Sequence, residues 1–281
     1  MIAASLGFSI MGSMVKWVAP RIPFMEAVFF RAIISVVCIA PLMVRNKHSF
    51  IGNKPFLLVI RGLSGFIALS LNFYATYKIT LADASILNQT STLFVAFFSL
   101  FLLKEKVPMQ LIIYIVCSLV GATLIVKPAA NLANIPGLMG LASGFFASIA
   151  YISIRKLHET DSFFTMVFHF SFISAVGSFL FMIKDFVSPT PLEWFALIIL
   201  GLAGTAAQLL MTAAYKYAEA SIVSPYLFFT VIFSALWGGF FWKELPDHWS
   251  LLGAVLIIAC GVAIMRLQKQ NRKTVVTVME L

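Results

Sequence analysis

Charged residues are scarce in this chain. Asp, Glu, Lys and Arg make up 11% of its 281 residues against 61% hydrophobic ones, and mean hydropathy is +0.98. A soluble domain cannot hide that much apolar surface, because folded surface still grows steeply with mass. Acids are scarcer still inside the apolar runs. All eleven (Glu26, Asp83, Glu105, Glu159, Asp161, Asp185, Glu193, Glu219, Glu244, Asp247 and Glu280) fall in loops, in the tail or near segment ends. That argues against a proton-coupled cation exporter that holds its substrate on a mid-membrane carboxylate. The three cysteines, Cys38, Cys117 and Cys260, are widely spaced inside apolar runs, so neither a disulfide framework nor a metal site is expected. There is no GxxxxGK[ST] phosphate loop and no HExxH zinc motif. Neither a cofactor nor a resident metal is implied, and the short loops leave no room for a soluble catalytic domain. Met1–Pro20 lacks a basic n-region and a small-residue cleavage site, so no cleavable signal is expected there.

What the chain has is ten long apolar segments, at 2–19, 24–44, 56–77, 83–103, 109–127, 137–155, 163–183, 192–215, 221–242 and 249–267. About 20 helical residues cross a hydrocarbon core of about 30 Å. Backbone polar groups must be satisfied internally there, and continuous rather than alternating runs exclude an outer-membrane barrel. The expected fold is an all-α integral membrane protein of ten transmembrane helices.

Basic residues set its orientation. With the N-terminus on face A, that face carries twelve Lys and Arg in loops and tail, against six on face B. The excess predicts a cytoplasmic face A, with both termini inside the cell. The net charge of +9 is thereby explained by topology and calls for no nucleic-acid partner. Trp17, Trp194, Tyr217 and Trp249 stand near segment ends and suit the headgroup level or ordinary packing.

The two halves resemble each other. Lys104–Glu105 matches Lys243–Glu244 at an offset of 139, Gly121 matches Gly261 at 140, Tyr77–Lys78 matches Tyr215–Lys216 at 138, and Asp83–Ala84–Ser85 matches Glu219–Ala220–Ser221 at 136. Five helices per repeat is an odd number, so the second repeat enters from the opposite face. The expected layout is an N-terminal repeat over 1–127, a connecting loop over 128–136, a C-terminal repeat over 137–267 and a cytoplasmic tail over 268–281. Inverted repeats of this kind build carriers whose site lies near the midplane between the halves. A duplication in an unrelated membrane protein would leave the same trace.

Polar groups inside the segments point to the site, because each is costly in lipid unless it faces a cavity or a partner. Arg31 lies about 10 Å deep from face B at 1.5 Å per residue. It could bind a substrate carboxylate or phosphate, pair with an acid, or snorkel outward. Glu26, five residues earlier, is an imperfect same-helix partner. His169 is the one histidine deep in a segment; His48, His158 and His248 fall in loops. It could meet substrate, carry a proton or bond a neighbouring helix. Asn88–Gln89–Thr90–Ser91–Thr92 are five successive polar residues that cannot share one face, so some line a cavity and some bond to neighbours. In the second half, Ser221, Ser224, Pro225 and Tyr226 stand at matching positions, and Pro225 could kink its helix. Asn72, Tyr74, Tyr151 and Gln208 complete the candidates. Asp83 and Glu219 begin matching segments, where they suit helix N-termini and could gate. Some of the 28 Phe could stack on a flat substrate or simply pack.

FFRAIIS at 29–35, YKITLADASILNQTSTLFVAFFSLFLLKEKV at 77–107 and YKYAEASIVSPYLFFTVIFSALWGGFFWKELP at 215–246 resemble the drug/metabolite transporter superfamily, specifically its ten-helix EamA-type permeases. The likeness covers nearly the whole chain. It implies a basket-shaped carrier whose cavity is lined by helices 1, 3, 4, 6, 8 and 9, taking in Asn72, Asn88, Tyr151, Gln208 and Tyr226, with His169 near its rim. PFMEAVFFR, IRGLSG and KELPDHWSLLGAVLII are similar to the S-adenosylmethionine transporter branch and to many other permeases. The resulting expectation is a secondary carrier or exchanger in the inner membrane, monomeric or homodimeric, in contact with membrane lipid. Its partner would be a small polar organic metabolite, an amino acid or related compound, or else S-adenosylmethionine. An intramembrane enzyme or a structural protein is the alternative of a different class. The enzyme would need a polar cluster at one depth, and the polar residues here are scattered.

Overall fold

The computed structural model describes residues 1–95, 98, 135–217, 224–244 and 246–279, with scattered positions between 110 and 124. Most of the expected fifth segment, the end of the fourth, the Lys104–Glu105 pair, Glu219 and Ser221 lie outside the described residues. Among the described residues every regular element is helical.

The described residues form eight α-helices and a half-helix: α1 (Ile2–Val18), α2 (Phe24–Arg45), α3 (Pro55–Lys78), α4 (Leu81–Gln89), α5 (Ile135–Leu157), α6 (Phe163–Met182), α7 (Pro191–Tyr217), α8 (Phe229–Trp242) and α9 (His248–Met279), of which the short α4 resumes after a turn at Thr90 as helix over 91–95. Five of them, α2, α3, α5, α6 and α7, are long and apolar enough to cross a membrane. α8 is preceded by a 3-10 turn over Ser224–Phe228, the segment that holds Pro225. A proline offers no N–H to an α ladder, and the tighter turn accommodates it. α9 continues well past 267, so the expected tail is helical as far as Met279.

Helix starts follow local chemistry. Thr80 caps α4 by accepting the Asp83 N–H at 3.1 Å, and Ser162 caps α6 by accepting the Thr165 N–H at 3.1 Å. Pro55 opens α3, where its missing N–H costs nothing. Buried hydroxyls within the helices mostly bond their own backbone. Ser13, Ser64, Thr76, Ser153, Thr205 and Thr212 each donate to the carbonyl four residues earlier, at 2.7–2.9 Å.

The packing is symmetric. Pairing α1 with α5, α2 with α6, α3 with α7 and α4 with α8, the main contacts have mates: α3 lies along α5 as α1 lies along α7, α3 meets α6 as α2 meets α7, and α4 meets α5 as α1 meets α8. The correspondence extends to single residues at an offset of 139. A Cβ on Gly62 would lie 2.3 Å from Ile173 Cδ1, and one on Gly201 would lie 2.6 Å from Ile34 Cδ1. Gly62 and Gly201 are mates, as are Ile34 and Ile173. A Cβ on Gly65 would lie 2.8 Å from the Phe170 ring, and one on Gly204 would lie 3.3 Å from Arg31 Nε; these too are mates. Gly144 approaches the Leu87 carbonyl, and its mate Ser5 donates to the carbonyl of Tyr226 at 2.7 Å, Leu87 and Tyr226 again being mates. Small residues at helix crossings let backbones approach closely, which is how helices associate where lipid is the solvent.

The symmetry makes the two crossings comparable but not equal in tolerance. Gly201→Ala meets the Ile34 Cβ, which cannot swing away, at 2.7 Å. We expect it to cost about 1–3 kcal/mol of stability by overpacking, read as a lowered unfolding midpoint in detergent. Gly62→Ala meets the mobile end of Ile173 and should cost less, and Ile173→Val should restore the loss. Gly238→Ala, whose Cβ would meet nothing closer than 3.6 Å, should leave the midpoint unchanged.

Candidate functional site

The helices surround a cavity lined by α1, α3, α4, α5, α6, α7, the 3-10 turn and α8. Its described wall is polar along α3 and α4. α3 presents Arg61, Asn72 and Thr76 to it, and α4 presents Ser85, Asn88 and Gln89. Tyr151 on α5, Gln208 on α7 and Thr230 on α8 face them. Asn88 Nδ2 donates to Ser143 Oγ at 3.0 Å, which fixes that amide against α5. Asn72 Oδ1 and Thr230 Oγ1 are buried without a hydrogen-bond partner. Among the described lining residues Arg61 is the one that carries charge, and no carboxylate is present.

Two arginines dominate the electrostatics. Arg31 on α2 is 1% exposed and Arg61 on α3 is 2% exposed. Both guanidiniums lie over the ring of Phe170 from α6, with Cζ 4.6 Å and 4.3 Å from its centroid. Gly65 and Gly204 make room for them, since a Cβ at Gly65 would lie 2.8 Å from Arg61 Nη1. In each guanidinium Nε and Nη1 are buried with no hydrogen-bond partner. Among the described residues no carboxylate is within ion-pairing distance of either. Glu26 does not pair with Arg31: it is fully buried, and its Oε2 accepts the Val187 N–H at 3.0 Å. Cation–π contact offsets part of the desolvation cost, about 2 kcal/mol at best, and leaves the hydrogen-bonding potential unused.

The other expected site residues divide. Asn72, Asn88, Tyr151 and Gln208 are brought together on the cavity wall. Arg31 stands one layer behind it, reaching Phe170. Tyr74 lies outside the wall and packs edge-on against Phe24 at 5.5 Å. Tyr226 is 42% exposed and stacks on Phe229, so its side chain is turned away from the wall. His169 also lies off the wall, its Nε2 donating to the Phe50 carbonyl at 2.7 Å. Arg61 and Phe170 are the residues that the sequence reading did not single out. Arg61 stands six residues past Pro55, where an arginine reads as a snorkelling side chain, and one phenylalanine among 28 carries no signal.

Contacts between the halves lie toward each face of the bundle. Toward face B, Lys16 Nζ donates to the Ile79 carbonyl at 2.9 Å and pairs with Glu244 at 2.6 Å, while Glu244 Oε2 also accepts the Leu81 N–H at 3.4 Å. Lys243 ends α8 in the left-handed region at φ 54°, and that turn carries Glu244 back toward α1. Toward face A, the loop between α2 and α3 grips the start of α6. The Asn53 N–H donates to Asp161 Oδ1 at 2.6 Å, Thr165 Oγ1 donates to the Ser49 carbonyl at 2.9 Å, and His169 holds Phe50.

Comparison with known proteins follows the same lines. The model of the EamA-like transporter family matches residues 1–127 and 135–267. The pseudopaline exporter of Pseudomonas aeruginosa is 34% identical over 95% of each chain. An uncharacterized transporter of Helicobacter pylori is 30% identical over 96% of this chain and 95% of its own. An S-adenosylmethionine uptake transporter of Rickettsia bellii is 26% identical over 92% of this chain and 89% of its own. A solved crystal structure superposes with a TM-score of 0.64 over 96% of this chain and 98% of its own, and at 18% identity it shows the shared fold alone.

The Lys16–Glu244 pair should govern access from face B. With Cys38, Cys117 and Cys260 replaced by Ser and a reporter introduced by Ser85→Cys, Lys16→Gln should speed labelling by a membrane-impermeant thiol reagent applied to face B. A partly exposed pair is worth up to about 1 kcal/mol, so the expected acceleration is about 2–5-fold. An unchanged rate would remove the pair from the closure.

Proposed function

From the premise that this chain belongs to the EamA-like transporter family, and is thus a multi-pass inner-membrane secondary transporter of a small molecule rather than an enzyme, we propose that its cargo is a small polar organic metabolite, an amino acid or related compound, moved by alternating access. The observation that carries this reading is the cavity itself: it is enclosed between symmetry-related helices and lined by amide and hydroxyl groups from both halves. Asn72, Asn88 and Gln208 would hold the polar groups of the cargo, and Tyr151 would offer a flat wall with a donor at its tip. The two halves, taken as inverted five-helix repeats, would rock about the cavity. Release of the Lys16–Glu244 closure would open face B, and release of the Asn53–Asp161 closure would open face A. The basic bias of face A supports a cytoplasmic location for it and for both termini. One monomer holds a whole cavity, so a monomer would suffice for transport.

Similarity to both an exporter and an uptake transporter leaves direction to the gradients, which drive one cycle either way. The named cargo of the Rickettsia relative makes S-adenosylmethionine the rival cargo.

Counterflow in proteoliposomes decides between them, using labelled S-adenosylmethionine beside an amino-acid panel. We expect saturable uptake of one compound, accelerated by the same compound loaded inside. Folded protein that transports nothing in the panel would overturn the proposed cargo class. Asn88→Ala should raise KM for the transported compound about tenfold, the loss of roughly one cavity hydrogen bond, without lowering the amount of folded protein. An unchanged KM would take Asn88 out of the site.

A further inference from the structure

Arg61 brings one positive charge to the cavity wall, Arg31 holds a second one layer behind it against the same Phe170 ring, and nothing described answers them. We infer that Arg61 and Arg31 form an anion subsite, and that the cargo enters it with at least two carboxylates and a net negative charge. The inference borrows from the carrier reading only in calling the ligand a cargo.

Taking a guanidinium out of water costs several kcal/mol unless a partner repays it. Here two guanidiniums, 1% and 2% exposed, share one phenyl ring, so each also repels the other. Nε and Nη1 of both are without a hydrogen-bond partner, and the described acids are elsewhere. Glu26 Oε2 accepts from the Val187 N–H while its Oε1 is buried without a partner and away from either guanidinium, and Glu244 pairs with Lys16. Neutralising two buried cations takes two negative charges, and the planar fork of each guanidinium matches a carboxylate.

At an offset of 139, Arg31 corresponds to Phe170 and Arg61 to Leu200. Leu200 is fully buried and Phe170 nearly so, in crossings that mirror those of the arginines. An apolar side chain therefore satisfies the packing at both positions. The charges exceed what the fold requires, and they occur in one half only.

The amides of Asn72, Asn88 and Gln208 line the same cavity as Arg61 and suit the polar groups of an organic molecule rather than a bare inorganic anion. A cargo of net positive charge would bring a further cation to a site that already has two.

The test uses the purified full chain in detergent. The unfolding midpoint is followed against succinate and citrate, with lysine, S-adenosylmethionine and inorganic phosphate as comparators at matched ionic strength. Succinate or citrate should raise the midpoint saturably by several degrees. Arg61→Met should abolish that rise, and Arg61→Lys should weaken it at least tenfold in concentration dependence. Without ligand, Arg61→Met should be as stable as the parent or more so, because it removes an unpaired buried cation and copies the apolar mate. A structural arginine would instead leave Arg61→Met less stable than the parent and the parent indifferent to dicarboxylates. That result would overturn the inference. So would an equal rise in Arg61→Met, or stabilisation by lysine, S-adenosylmethionine or phosphate but not by the carboxylates. Counterflow of labelled succinate and citrate separates the two readings. Saturable stabilisation without counterflow keeps the subsite and removes the carrier reading for these compounds. Counterflow of neutral or cationic compounds alone keeps the carrier and overturns the subsite.

Discussion

Hydrocarbon supplies no hydrogen-bond partner, so a polar atom in this bundle is costly unless it finds one within the protein, and most of the fold follows from how its polar groups do so. Serine and threonine hydroxyls solve the problem locally, by donating to the carbonyl one turn back, as Ser13, Ser153 and Thr212 do. Amides solve it across helices, as Asn88 does with Ser143. Carboxylates solve it at the ends, where Glu26 takes a backbone N–H and Glu244 takes Lys16. Against that background Arg31 and Arg61 are conspicuous, because their guanidiniums keep buried N–H groups unmatched beside a cavity.

The same solvent removes the hydrophobic effect as a force between helices, leaving close packing to hold them. That is why glycines recur at crossings and why they recur in register. The Gly62–Ile173 and Ile34–Gly201 contacts are one contact built twice. The frame is symmetric in its main helix contacts, and the bonds that join its halves near each face are few and exposed or half-buried. Lys16–Glu244 and Asn53–Asp161 are of this kind.

Much of this was legible in the chain. Helix boundaries of α1, α2, α3, α5, α6 and α7 fall within a few residues of the apolar runs, because hydropathy and the thickness of a bilayer constrain them directly. The repeat was visible in Tyr-Lys and Lys-Glu pairs, and the Asn88–Thr92 run did mark the cavity wall, with Asn88 and Gln89 on it and Thr90 bonded back to the Leu87 carbonyl. Pro225 did mark an irregular turn.

Other features depended on where helices cross. Tyr74, Tyr226 and His169 are polar or aromatic in the right segments, yet rotation about each helix axis takes them off the cavity, and hydropathy carries no phase for that rotation when a helix is apolar all round. Arg61 and Phe170 gain meaning only together, from α3 and α6 meeting at Gly65. The sequence by itself determined that the chain lives in a membrane, that its halves are related and that its acids stay near the ends, because composition and segment length settle those against lipid. Only the tertiary structure decided which side chains face the cavity, since that depends on helix rotation and on which glycine lets two helices touch.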